Sequence, residues 1–192
     1  MRLRRGLFAL GILALVSIDL AAQGTAPGTN PGRSPVFYTT PPRIARARAI
    51  LDPLTEIRVN GQTVFTITRA NDDDTITGTL NFALDTESRT KLGEALKKRG
   101  ATLPATFTMT GAVAHFHKGT ACPVAHLEIE PLVIDSAAIK LSLPQLSLTI
   151  VEGKDEITPQ LCFWARQIGT GRMRRGVIAA LNRMIQGDAE SQ

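Results

Sequence analysis

Between Glu56 and Ala70 the chain reads EIRVNGQTVFTITRA, with Ile57 and Val59 alternating with polar neighbours, then Val64, Thr66 and Thr68 alternating with Phe65 and Ile67. A side-chain period of two belongs to an extended strand with one buried face, and an α-helix cannot satisfy it. The pattern returns in TITGTLNFAL (75–84), ATFTMTGAVAHFH (105–117), PVAHLEIEPLVID (123–135), AIKLSLPQLSLTIVEG (138–153) and around LCFWARQI (161–168). Asn60-Gly61 between two such runs predicts a hairpin turn, since type I′ turns need positive φ at both central residues. The acidic run Asn71–Asp74 predicts a second turn, and its acidity is explained by turn chemistry rather than by a calcium loop.

Three segments depart from that period. DTESRTKLGEALKKRG (85–100) predicts a helix capped by Asp85 or Thr86, with a Leu92, Ala95 and Leu96 stripe and a stop at Gly100. GRMRRGVIAALNRMIQG (171–187) predicts a second, with Met173, Val177, Leu181 and Met184 or Ile185 on one face. RIARARAILDPL (43–54) predicts a short third helix ended by Pro53, on the spacing of Ile44, Ala47 and Ile50. The expected fold is α+β: a mainly antiparallel sheet or small sandwich of about seven strands, packed with the internal and C-terminal helices.

The N-terminus predicts export. Arg2, Arg4 and Arg5 precede an apolar run from Gly6 to Ile18, and Leu20-Ala21-Ala22 supplies small residues for cleavage, the order of a secretory leader. The run is shorter than the roughly 20 residues a membrane span requires. Arg4-Arg5 also has some twin-arginine character. Residues 1–22 are thus assigned to the leader, 23–42 to a Gly/Pro/Thr-rich flexible tether, 43–187 to one β-rich domain and 188–192 to a tail. Losing Arg2, Arg4, Arg5 and Asp19 with the leader lowers the 22 basic and 17 acidic residues to 19 and 16, and the net charge from +5 to +3. So mild a charge on an exported chain does not predict a nucleic-acid partner.

Three features carry candidate chemistry. The stretch HFHKGTACPVAH (115–126) holds all three histidines. Folded as a hairpin with loop 118–123, it places His115, His117, His126 and Glu128 on one face and Ala114, Phe116, Ala125, Leu127 and Ile129 on the other. That register sets His115 opposite His126, and three imidazoles on one face could hold zinc or copper, with zinc supporting a metal-dependent hydrolase or lyase. The plain alternative is the polar side of a half-solvated sheet.

Cys122 and Cys162, the two cysteines, predict one disulfide in an exported chain; the alternatives are a free thiol or Cys122 as a fourth metal ligand. Between Trp164 and Gly187 stand Arg166, Arg172, Arg174, Arg175 and Arg183 with no acidic residue. Arg172, Arg174 and Arg175 open a helix, where cations oppose the macrodipole, which suggests an anionic partner such as an envelope component or a lipid surface. Trp164 is read as core. No catalytic signature is present: no G-x-S-x-G, HExxH, dinucleotide or phosphate-loop motif. The expectation is an exported, non-enzymatic binding module. The alternatives are a metal-binding protein using the histidines, and a carrier of lipid or apolar ligand between sheet and C-terminal helix.

Overall fold

A computed structural model describes residues 35–117, 122–168 and 174–187. The first four strands form an antiparallel meander: β1 (Arg43–Asp52), β2 (Thr55–Ala70), β3 (Thr75–Leu84) and, after helix α1 (Thr86–Lys97), β4 (Phe107–Phe116). Then come β5 (Val124–Ile129), β6 (Leu132–Ser136), β7 (Ile139–Leu143) and β8 (Leu146–Val151), followed by helices α2 (Ile157–Gln167) and α3 (Arg174–Gln186). All eight strands share one sheet in the order β6-β7-β1-β2-β3-β4-β5-β8. The expectation of an antiparallel β-rich α+β fold holds, but it is one eight-stranded half-barrel rather than a sandwich of about seven strands.

The last four strands explain the curvature. Ile129 faces Leu146 and Leu132 faces Leu143, so a single register runs through β5–β6 and β7–β8, with Glu130-Pro131 opposite Pro144-Gln145. These four strands are one long hairpin, broken at mid-length where two prolines cannot donate ladder hydrogen bonds. One half pairs with β4 and the other with β1, at opposite ends of the strand order. Two-residue links can span no more than about 11 Å, so the sheet has to roll until its ends meet at this elbow.

Alternation fixes what faces inward. Phe65, Ile67, Ile76, Leu80, Phe82, Phe107, Leu127 and Leu141 are all buried on the concave side. The helices add Leu92 and Leu96 from α1, Leu161 and Trp164 from α2, and Val177, Ile178, Leu181 and Ile185 from α3. Trp164 meets Phe116 edge-to-face with ring centroids 5.4 Å apart, the arrangement favoured by ring quadrupoles. Asn182 of α3 accepts from the Ala70 N–H at 2.8 Å and donates to the Ala70 carbonyl at 2.9 Å, fixing that helix on the end of β2.

Several elements differ from expectation. Residues 43–52 are a strand, because Ala45, Ala47 and Ala49 point inward while Arg46 and Arg48 point out, and this period-two alternation outweighs the helical spacing of Ile44, Ala47 and Ile50. Asn60-Gly61 lies inside β2; the hairpin turn is at Pro53-Leu54. Gly61 is needed for close approach: a Cβ there would collide with the Ala83 carbonyl and the Phe82 ring. Residues 157–167 are a helix, so Cys162 and Trp164 sit on α2 rather than on a strand.

The expected tether 23–42 ends earlier than residue 42. Val36 donates to the Met184 carbonyl, Thr40 to the Phe65 carbonyl, and Tyr38 accepts from Ile67, each at 2.9 Å. Where expectation and structure agree, the local reason is visible. Asp85 caps α1 by accepting from Ser88 N–H at 2.7 Å, and Gly187 ends α3 with φ of 73°. Met173 of the expected C-terminal stripe lies outside the described residues.

Candidate anion-binding cleft and histidine row

The histidines stand on the outer face of β4 and β5, at the disulfide end of the long hairpin. His115, His117, His126 and Glu128 point outward while Ala114, Phe116, Ala125, Leu127 and Ile129 are buried. The register is offset by two residues from the one a six-residue loop would set: His115 faces Glu128, and His117 N–H donates to the His126 carbonyl at 2.8 Å. His117 Nδ1 lies 2.6 Å from Glu128 Oε1, and His115 Nε2 lies 3.8 Å from Glu130 Oε1. Two rings therefore turn toward carboxylates. Among the described residues, the one group of three metal-type side chains with ligand atoms within 4.8 Å of one another is Cys122, Glu152 and Cys162. Its two sulfurs are already bonded to each other.

The disulfide Cys122–Cys162 forms, joining the connection between β4 and β5, just before β5 begins, to α2 across 40 residues. It takes Cys122 out of any ligand set. Such a bond belongs in an oxidising compartment. Of the basic C-terminal residues, Arg166, Arg175 and Arg183 are exposed, Arg174 opens α3, and Arg172 lies outside the described residues. Among the described residues no helix is long and apolar enough to cross a membrane.

A different cationic group sits at the elbow. The β1–β7 ladder runs Ile50↔Lys140, Ala49↔Leu141, Arg48↔Ser142 and stops there, because the next pairs would bring Pro144 opposite Arg46. Proline has no N–H to continue the ladder, and the strands diverge. The opening is a cleft of about 740 Å³, within the usual range for small-ligand sites. Arg46, Arg48 and Arg58 stand on its outer side, with Asn60, Ser142 and Gln145 as neutral polar groups. Ala47, Val59, Pro131, Leu143 and Pro144 supply the apolar part.

The electrostatics of this cleft are one-sided. Arg48 and Arg58 are directly opposite on neighbouring strands, and Arg46 stands opposite Asn60 on the same face. Like charges directly opposite destabilise an antiparallel pair. Glu56 approaches Arg48 at 3.7 Å, and Arg46 and Arg58 have no carboxylate within 4.0 Å among the described residues. No lining residue is acidic. Three guanidiniums, two amides and a hydroxyl present hydrogen-bond donors suited to a carboxylate or phosphate.

Sequence reading missed this group because Arg46 and Arg48 were placed on a helix, which sends residues two apart to different faces. The available signal was the Arg-Ala-Arg-Ala alternation itself. Comparison of the chain with protein-family models, with curated proteins and with solved structures finds no match.

Proposed function

We propose that the chain is an exported binding module whose ligand is anionic and sits in the elbow cleft. The observation that carries this reading is the set of three arginines around an open cleft with no acidic lining residue. A strand pair that keeps Arg48 opposite Arg58 gives up stability in the free protein, and an anion bridging them would recover it. The lining favours capture over catalysis: Ser142 is its hydroxyl, and no histidine, carboxylate or cysteine lines the cleft to activate it. Export is supported by the leader-like N-terminus and by the disulfide.

The test is calorimetric titration and thermal melting with glycerol phosphate, using glycerol as the uncharged control. Glycerol phosphate is expected to raise Tm and to bind at least tenfold more weakly to Arg58→Gln, with glycerol inert. No heat and no Tm shift with the phosphate ester, or equal binding by Arg58→Gln, would overturn the reading.

A further inference from the structure

The surroundings of the cleft are as unusual as its charge. Ile44 lies two residues before Arg46 on β1, so both side chains leave the same outer face about 7 Å apart. Ile44 is 79% exposed, although it belongs to a ten-residue strand with buried neighbours. Arg43, next to it, is also exposed. On the outer face, therefore, an uncovered branched apolar side chain stands next to the Arg46 cation, while Arg43 leaves the other face of the strand.

The strap before β1 continues this line. Thr40 is buried and Tyr38 half-buried, alternating with exposed Thr39 and Phe37, which sets Phe37 on the outer side at 60% exposure. The Tyr38 hydroxyl accepts from the Val151 N–H at 3.4 Å, which places the strap beside the free edge of β8. Val151 is itself 49% exposed. From elbow to strap the seam between β1 and β8 thus presents arginines, then isoleucine, then phenylalanine and valine.

Burying such side chains against a soluble anion would leave the apolar ones in water. A charged surface with a hydrocarbon layer beneath it satisfies both kinds of group at once. Resting on the anionic-ligand reading, we infer that this seam docks on an anionic membrane. The cleft takes a lipid phosphate, while Ile44 and Phe37 enter the interfacial layer. The chain is then peripheral, attached through a strand face rather than by an amphipathic helix. Separated basic and apolar patches would not achieve this; their adjacency does.

The experiment is co-sedimentation of the protein purified after export with vesicles of phosphatidylglycerol and phosphatidylcholine, against vesicles of phosphatidylcholine alone. Wild type, Arg58→Gln and Ile44→Ser are compared after melting confirms that each variant is folded. Binding is expected on the anionic vesicles only, weakened about fivefold by Arg58→Gln, the worth of one arginine near an anionic surface. Ile44→Ser, which removes most of an apolar side chain from the interface, is expected to weaken it by about as much. Undiminished binding by Ile44→Ser would overturn the docking geometry, and so would equal binding to neutral vesicles. Absence of vesicle binding alongside a Tm rise with glycerol phosphate would overturn the membrane inference and leave the cleft standing. Absence of both would remove the two together.

Discussion

The histidine row on β4 and β5 and the arginine row on β1 and β2 occupy the same outer face of one half-barrel, at its two ends. Both arise from the same strand alternation. In the first, His117 is hydrogen-bonded to Glu128 and His115 is turned toward Glu130. In the second, Arg48 has one carboxylate, Glu56, at 3.7 Å, and Arg46 and Arg58 have none within 4.0 Å among the described residues. The first patch turns two of its imidazoles toward carboxylates; the second is left positive beside an opening in the ladder. A row of polar residues is uninformative by itself, because a solvated sheet face has to carry something. What discriminates is whether neighbouring groups neutralise it.

The largest test of this contrast separates the two ends mechanically. Replacing Cys122 and Cys162 by serine frees the histidine end from α2 and is expected to cost about 4 kcal/mol, from the loop of 40 residues that the bond closes. Urea unfolding measures the loss. The arginine cleft depends on the β1–β7 pairing and the elbow, so glycerol phosphate affinity of the folded variant should change less than twofold. A comparable loss of affinity would mean that the two ends are coupled and the contrast is artificial.

A smaller effect gives the sharper result, because it is a difference in sign. Arg58→Met removes one of two opposed cations and keeps the apolar stem, so the ligand-free protein should gain about 0.5 kcal/mol. His117→Ala removes a partner of Glu128 and should lose about 0.5 kcal/mol, the scale of a partly exposed pair. Denaturant midpoints under identical conditions decide it. If both substitutions move stability in the same direction, the two patches are not electrostatically different.

Much of the sheet was legible because alternation is strong in β2 to β5, and the α1 cap follows from Asp85 three residues before Ser88. The failures have local causes. Alanine and arginine are good helix formers, so Arg43–Asp52 satisfied a helical reading that only its pairing with β2 overrides. The α2 segment carries Phe163 and Trp164, both strand-favouring, and its helical signal lies earlier, in Asp155 and in Pro159 within the first turn. The elbow was hidden because Pro131 and Pro144 oppose each other only once the hairpin register is known. The arginine cleft depends on that elbow and on β1 being a strand, so a wrong element assignment concealed the site.

The smallest expected effect concerns acid, and it reads the carboxyls of the scaffold. Burial works against the charge of Asp155, but the Thr158 N–H and hydroxyl and the Ile157 N–H outweigh it and hold the carboxyl below its ordinary range. Asp52 is held at about 2, first by the Arg99 guanidinium and then by the Leu54 N–H and the Thr55 hydroxyl. Asp73 is lowered by the Thr75 hydroxyl and N–H. A carboxyl depressed in the folded state contributes stability that is full above its unfolded value near 4 and lost as pH falls through the folded value. Stability should therefore hold from neutral pH to about 4 on account of these groups and decline between about 4 and 2. Asp155→Asn, which keeps a capping oxygen but no charge, should flatten part of that decline, whereas Arg58→Met, whose cation persists throughout, should leave its shape unchanged. Acid titration followed by Trp164 fluorescence reads both. An altered slope in Arg58→Met would mean that Arg58, like Arg48 beside Glu56, engages a titrating carboxylate, and the contrast between the two ends would lose its basis.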